Sequence, residues 1–154
     1  MLSKEAKKEW NIRFWNGLRN EMKFIPSFNG RRINWLTYPT DIKHVFLRLV
    51  CENDFVALQF DIQLKDEGIR AIFWEQMEEL KLLINSKMNY PSAWVQGIKT
   101  AEGLLIDQIS WRLENTNYLL EENWQIIYDF FKSRLIAFDE FYQEFKEILI
   151  NLLK

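Results

Sequence analysis

Cysteine and histidine each occur once in 154 residues, and glycine and proline total only eight. A lone Cys51 excludes an internal disulfide, and one cysteine with one histidine falls short of the four nitrogen or sulfur ligands that structural zinc requires. His44 and Cys51 also fail as a nucleophile and base, because positions seven apart on one strand project to opposite faces. Cys51 is therefore read as a small buried apolar residue. The scarcity of glycine and proline, beside 48% apolar residues, excludes disordered and fibrous classes. No GxxxxGK[ST], GxGxxG or GxSxG occurs, so kinase, dehydrogenase and hydrolase readings lose their support. Apolar runs stay far below the roughly 18 residues of a membrane span, and MLSKEAKKEW has no apolar secretory segment. The expectation is a cytoplasmic protein without membrane contact.

Aromatics are abundant, with seven tryptophans and twelve phenylalanines. A chain of this length suits one domain, 1–154, burying roughly two thirds or more of its unfolded surface. Charge is uneven. Residues 1–50 hold ten Lys and Arg against four acids, a net +6, and residues 51–154 hold ten against eighteen, a net −8. A solvated helix face, a basic face for a polyanion, and two surfaces that attract on folding or dimerisation all fit this asymmetry.

Ser3 as N-cap and Trp10, Phe14, Trp15, Leu18 and Met22 at helical spacing predict a helix over 3–23, ended by Ile25-Pro26-Ser27. Asn29-Gly30 marks a turn, and Arg31 to Tyr38 reads as a short strand with Ile33 and Trp35 inward. Residues 43–51 and 55–65 form a hairpin around Asn53-Asp54. Its register pairs Leu49 with Leu58, Leu47 with Phe60 and Val45 with Ile62, giving one wholly apolar face. Asp66 caps a helix of about twenty residues whose stripe is Ile69, Ile72, Phe73, Leu80 and Leu83, with Glu75, Glu78 and Glu79 on a solvated face. Residues 93–99 and 104–113 form a second hairpin with Ile109, Trp111 and Leu113 inward. From about Glu121 the chain is helical, with Trp124, Ile127, Phe131, Leu135, Phe138, Phe141 and Phe145 in phase and a bend expected near Lys132-Ser133. The fold class is α+β: a central antiparallel or mixed sheet of about five strands in two hairpins, flanked by an N-terminal helix, a middle helix and C-terminal helices.

The order helix, three strands, helix, strand resembles the core of the restriction-endonuclease-like PD-(D/E)xK nuclease superfamily. Pro39-Thr40-Asp41 and Gln63-Leu64-Lys65 sit where that family keeps its metal-binding acid and its (D/E/Q)xK. The resemblance implies Asp41 or Asp61 as a ligand for Mg²⁺, Gln63 as a second ligand or positioning group, and Lys65 orienting the attacking water. No cofactor is expected outside that reading. Gln63 replaces a carboxylate, and strand parity turns Asp41 away from Gln63 and Lys65. Asp61 shares their face, where a diagonal ion pair to Arg48 is the alternative to a remnant site. A second resemblance spans most of the chain: FWNGLRNEM, INWLTYPTDIKHVFLRL, FWEQMEELKLLI and FFKSRLIAFDEFY are similar to a bacterial family of uncharacterised domains, found alone or C-terminal to nuclease-like regions. It implies a link to DNA processing or defence and carries over no catalytic residue.

Arg31, Arg32 and Tyr38, with His44 and Arg48 on the adjacent strand, are the candidates for binding nucleic acid or an acidic protein, since arginines meet phosphates and aromatics stack on bases. Trp35 is in phase with Ile33 and is read as core. Three readings result: a non-catalytic recognition module of a bacterial DNA-processing or defence system, a metal-dependent nuclease, and a protein-interaction domain that dimerises through its aromatic C-terminal helix.

Overall fold

The computed structural model describes residues 3–154. Helix α1, Lys4–Met22, starts where Ser3 Oγ accepts the Ala6 N–H at 3.1 Å, relieving one of the amide donors that a helix start leaves unpaired. Phe14, Leu18 and Met22 are fully buried, and Trp10 and Trp15 flank them half-buried. Strands β1, Val45–Cys51, and β2, Phe55–Ile62, pair in the expected register, Val45 with Ile62 through Cys51 with Val56. Glu52 N–H donates to the Phe55 carbonyl at 2.8 Å, closing the turn over Asn53 and Asp54. The second hairpin, β3 (Ala93–Lys99) and β4 (Leu105–Glu114), places β4 against β2, so the sheet order is β1-β2-β4-β3, antiparallel throughout.

One sheet face carries Val45, Leu47, Leu58, Phe60, Ile62, Ile109 and Trp111, all in the core, with Leu113 half-buried against it. Helix α4, Trp124–Asn151, packs on that face. Its Phe138 ring lies 5.2 Å from Phe60 and 6.1 Å from Trp111, and stacks on Tyr142 at 5.5 Å. These aromatics supply large buried area with defined ring geometry. The opposite face, carrying Phe46, Arg48, Gln59, Asp61, Gln108 and Arg112, contributes nothing to that core cluster. The result is one layer of helices on one layer of sheet.

Among the described residues four strands form where about five were expected. Arg31 to Tyr38 is not a strand; its only regular piece is a 3-10 turn, Trp35–Thr37. Asn34 Oδ1 accepts the N–H groups of Leu36 and Thr37 at 3.2 and 3.3 Å, so a short polar side chain competes with sheet pairing for the backbone. Trp35 and Tyr38, three apart, both turn inward.

The middle helix is two helices, α2 (Glu67–Glu79) and α3 (Lys81–Met88), divided at Leu80, where ψ falls to 1°. Asp66 caps it as expected, Oδ1 accepting the Ile69 N–H at 2.9 Å. The buried stripe is rotated from the expected one. Phe73, Trp74, Met77, Leu80, Ile84 and Met88 are inside, while Ile69, Ile72 and Leu83 are exposed. Trp74 packs edge-on against Trp94 of β3 at 5.4 Å and Phe73 against Phe60 at 6.3 Å, so the larger rings take the inward positions. Helix α4 runs through Lys132-Ser133 as one helix of 28 residues.

Gly17 of α1 lies against the Tyr128 side chain of α4. Tyr128 Oη donates to the Phe14 carbonyl at 2.6 Å, and a Cβ on Gly17 would overlap that hydroxyl. Overpacking costs about 1–3 kcal/mol, against a helix-propensity gain of up to about 1 kcal/mol. Gly17→Ala is expected to lower stability by about 1–2 kcal/mol in denaturant unfolding. Adding Tyr128→Phe should recover part of that loss, a non-additivity expected only of residues in contact.

Candidate functional site

The structure divides the four residues of the nuclease reading, with Asp41 and Asp61 on opposite sides of the sheet and Gln63 and Lys65 together in the wall of one cleft. Asp41 precedes β1 with φ at 61°, and His44 follows with φ at 69°, so strand alternation does not run back to Asp41. Its carboxylate faces the helical layer, 3.3 Å from Lys146 of α4. Asp61 lies on the opposite sheet face, almost fully buried, with both oxygens engaged: Arg48 Nε at 3.2 Å, on the diagonal, and Gln108 Nε2 at 2.8 Å. Burial pushes its carboxyl up, and Gln108 and then Arg48 oppose that shift. Gln63 is half-buried and spends its N–H on the His44 carbonyl at 2.8 Å, while the Lys65 side chain is exposed. Among the described residues no group of three or more His, Cys, Asp or Glu is placed to hold a metal ion.

A different acid organises the segment between α1 and β1. Asp139 of α4 is 1% exposed and has no cationic partner among the described residues. Its carboxylate accepts the Ser27 hydroxyl at 2.9 Å, the Phe28 N–H at 2.6 Å, the Tyr38 hydroxyl at 2.6 Å and Gln143 Nε2 at 3.1 Å. Gln143 also accepts Asn29 Nδ2 at 3.1 Å. Trp35 Nε1 donates to the Ile25 carbonyl at 2.8 Å, and Ser27 N–H to the Arg31 carbonyl at 2.8 Å. Tyr38, expected at the surface, is thus a buried tie. Its phenol is held far above its ordinary range, first by burial and then by the bond to Asp139 and that group's charge.

The same ties turn other side chains outward. Phe24 and Phe28 are 76% and 64% exposed, unusual for phenylalanine outside a contact surface. Lys23 stands 5.1 Å over the Phe24 ring, and Arg31 and Arg32 are exposed in the same closed loop. Lys23, Arg31 and Arg32 form no ion pair among the described residues, and the one acid between residues 19 and 32, Glu21, is bridged to Lys132 at 3.4 Å. Beside the loop lies a cleft of about 210 Å³, with Met22, Ile33, Trp35 and Leu36 in its walls and Arg19, Lys23 and Asn34 as its polar lining.

The expected binding set therefore divides. Arg31 and Arg32 join this patch, Tyr38 is internal, and Arg48 belongs to the open sheet face with Asp61. His44 sits half-buried at the turn into β1. Phe24, Phe28 and Asp139 were missed by sequence reasoning. Asp139 carries a readable signal: it stands four residues after Leu135 and three before Tyr142, so a charge occupies the inward stripe of an otherwise apolar helix face.

Open on one face and built from one helical layer over a four-stranded antiparallel sheet, the chain is a two-layer α+β domain with a basic, aromatic loop pinned at one corner. Residues 11–146 match the family described as a domain of unknown function, DUF4268, and the chain belongs to that family. No curated protein and no solved structure matches it.

Asp139→Asn replaces one acceptor oxygen by a donor facing hydroxyl and amide protons. Leaving buried donors unpaired costs about 1–3 kcal/mol, more where the acceptor was charged. A loss of about 2–3 kcal/mol in denaturant unfolding is expected, with faster hydrogen exchange at the Phe28 amide.

Burial, and after it the charge of Glu52, pushes the Cys51 thiol up from 9.0 to about 12, so it is protonated and a poor nucleophile at neutral pH. Burial likewise moves Tyr128 from 10.0 to about 12. Both folded values lie above the unfolded ones. The linked stability is therefore complete below about pH 9 and is lost as pH rises toward 12. The urea midpoint should be flat from pH 7 to 8.5 and fall above pH 9, and Cys51→Ala should delay the onset of the fall.

Proposed function

We propose that this domain is a non-catalytic recognition module that binds nucleic acid through the loop from Lys23 to Arg32, in a bacterial DNA-processing or defence setting. The observation that carries the reading is the pair of solvent-facing rings, Phe24 and Phe28, set among Arg19, Lys23, Arg31 and Arg32 on a loop whose backbone is fixed by Asp139. Cations free of ion pairs among the described residues meet phosphates, and each exposed ring offers a face on which a base stacks. The likeness of the FWNGLRNEM and INWLTYPTDIKHVFLRL segments to bacterial domains found beside nuclease-like regions supports the setting. The engagement of Asp41 by Lys146, and of Asp61 by Arg48 and Gln108, supports a role without metal-dependent cleavage.

The test is fluorescence anisotropy of labelled single-stranded DNA and RNA across a salt series. Binding should weaken with salt, and Arg31→Ala with Arg32→Ala should reduce the log–log slope by roughly 1.4, about 0.7 for each single-strand phosphate no longer neutralised. Phe24→Ala with Phe28→Ala should weaken binding by about tenfold or more at unchanged slope, with stability altered by no more than about 0.5 kcal/mol per exposed site. No anisotropy change at low salt would sink the reading. Cleavage with Mg²⁺ or Mn²⁺ that Lys65→Ala abolishes would replace it with an enzyme.

A further inference from the structure

The polar side chains that line the cleft beside the Lys23 to Arg32 loop donate hydrogen bonds and have no acceptor to spare. Met22 and Trp35, almost fully buried, lie deepest in it, with Ile33 and Leu36 half-buried beside them. The indole N–H of Trp35 is spent on the Ile25 carbonyl at 2.8 Å, so that ring offers only apolar surface. The polar lining is Arg19, Lys23 and Asn34. Arginine and lysine donate and cannot accept. At about 210 Å³ the cleft is smaller than the roughly 300 Å³ at which drug-sized pockets begin, which leaves room for one ring system rather than an extended ligand.

Asn34 completes the pattern. Its Oδ1 accepts the Leu36 and Thr37 N–H groups at 3.2 and 3.3 Å, and those two donors fix which end of the amide is oxygen. Both lone pairs of Oδ1 are thereby occupied, while Nδ2 has no partner among the described residues. Aspartate or serine would cap the 3-10 turn as well as asparagine does. What asparagine adds is a pair of N–H donors. An asparagine whose oxygen is free reads adenine with one donor and one acceptor. Here the acceptor is withdrawn.

We infer that the cleft takes one base of the bound strand whose ring carries a keto oxygen where cytosine and adenine carry an amino group, that is uracil, thymine or guanine. This rests on nucleic-acid binding by the loop. Lys23 lines the cleft and also stands 5.1 Å over the Phe24 ring, so a base in the cleft would neighbour one stacked on Phe24. A keto oxygen accepts from Asn34 Nδ2, whereas an amino group sets donor against donor and leaves both unpaired. The apolar walls favour a ring over a bare phosphate, and the exposed Arg31 and Arg32 of the adjoining loop are open to the phosphates.

The test compares oligo(dU), oligo(dT) and oligo(dC) of about 12 nucleotides by fluorescence anisotropy, uracil and cytosine differing chiefly in that one group. Oligo(dU) and oligo(dT) should bind about five- to tenfold tighter than oligo(dC), roughly the effect of one hydrogen bond. Asn34→Asp and Asn34→Ser, which both keep a cap, should bring that ratio to about one. The charge that aspartate adds weakens all three strands alike and cancels in the ratio. In ¹⁵N-labelled protein the Asn34 side-chain amide resonances should shift with oligo(dU) and not with inorganic phosphate. Equal affinities for oligo(dU) and oligo(dC), a preference that survives both Asn34 variants, or an equal shift with phosphate would each overturn the inference. Salt-dependent binding that Phe24→Ala with Phe28→Ala weakens would then leave the recognition reading standing, whereas no binding of any oligomer at low salt removes both.

Discussion

The carboxylate of Asp139 is the constraint on which the layout between α1 and β1 depends. Removing a carboxylate from water costs several kcal/mol even after relaxation, and no cation among the described residues offsets that cost. The compensation comes from four neutral donors: the Ser27 hydroxyl, the Phe28 amide, the Tyr38 phenol and the Gln143 amide. Hydrogen bonds to a charged acceptor contribute about 1.5–3 kcal/mol each, so the set is favourable only when all are made together. Three of the four donors lie in the 27–38 segment, more than 100 residues away in sequence. One helical side chain therefore closes the largest irregular stretch of the chain onto the helical layer.

Closure from within decides what is left outside. With Trp35 and Tyr38 drawn into the core and Ile25, Ser27 and Ile33 turned toward it, Phe24, Phe28, Arg31 and Arg32 are presented to solvent. A loop held this way loses little further freedom when it meets a ligand, which is the main saving that preorganisation provides in binding. The apolar exposure of two phenylalanines is tolerable because loop order does not depend on them.

The hairpin β1–β2 was legible because two local rules agreed, a two-residue turn and an apolar set at period two, and a one-residue slip would have mixed the faces. The diagonal pairing of Arg48 with Asp61 followed from the same register. The segment 31–38 was not legible, since Ile33 and Trp35 satisfy period two as well as Trp35 and Tyr38 satisfy a turn, and the partner that chooses between them is Asp139. Helices α2 and α3 failed for a related reason. Ile69, Ile72 and Leu83 form one apolar stripe and Phe73, Trp74 and Met77 another, and only the neighbours Phe60 and Trp94 decide which is buried. The site eluded a search for catalytic chemistry because it is defined by exposure. Phe24 and Phe28 look like core residues until the chain is folded.

Sheet parity separates chemistry that the sequence sets side by side. Asp41 and Asp61 flank one strand pair, yet left-handed backbone at Asp41 and His44 sends the first acid toward Lys146 in the helical layer, while the ladder leaves the second on the open face under Arg48. A divalent ion between them would need both carboxylates released from cations and brought through the plane of the sheet. Moving Asp41 alone does not suffice, because Asp61 is fixed by the register that buries Phe60 and Ile62 on the other side of the same strand. The packing that stabilises the core thus holds the two acids apart.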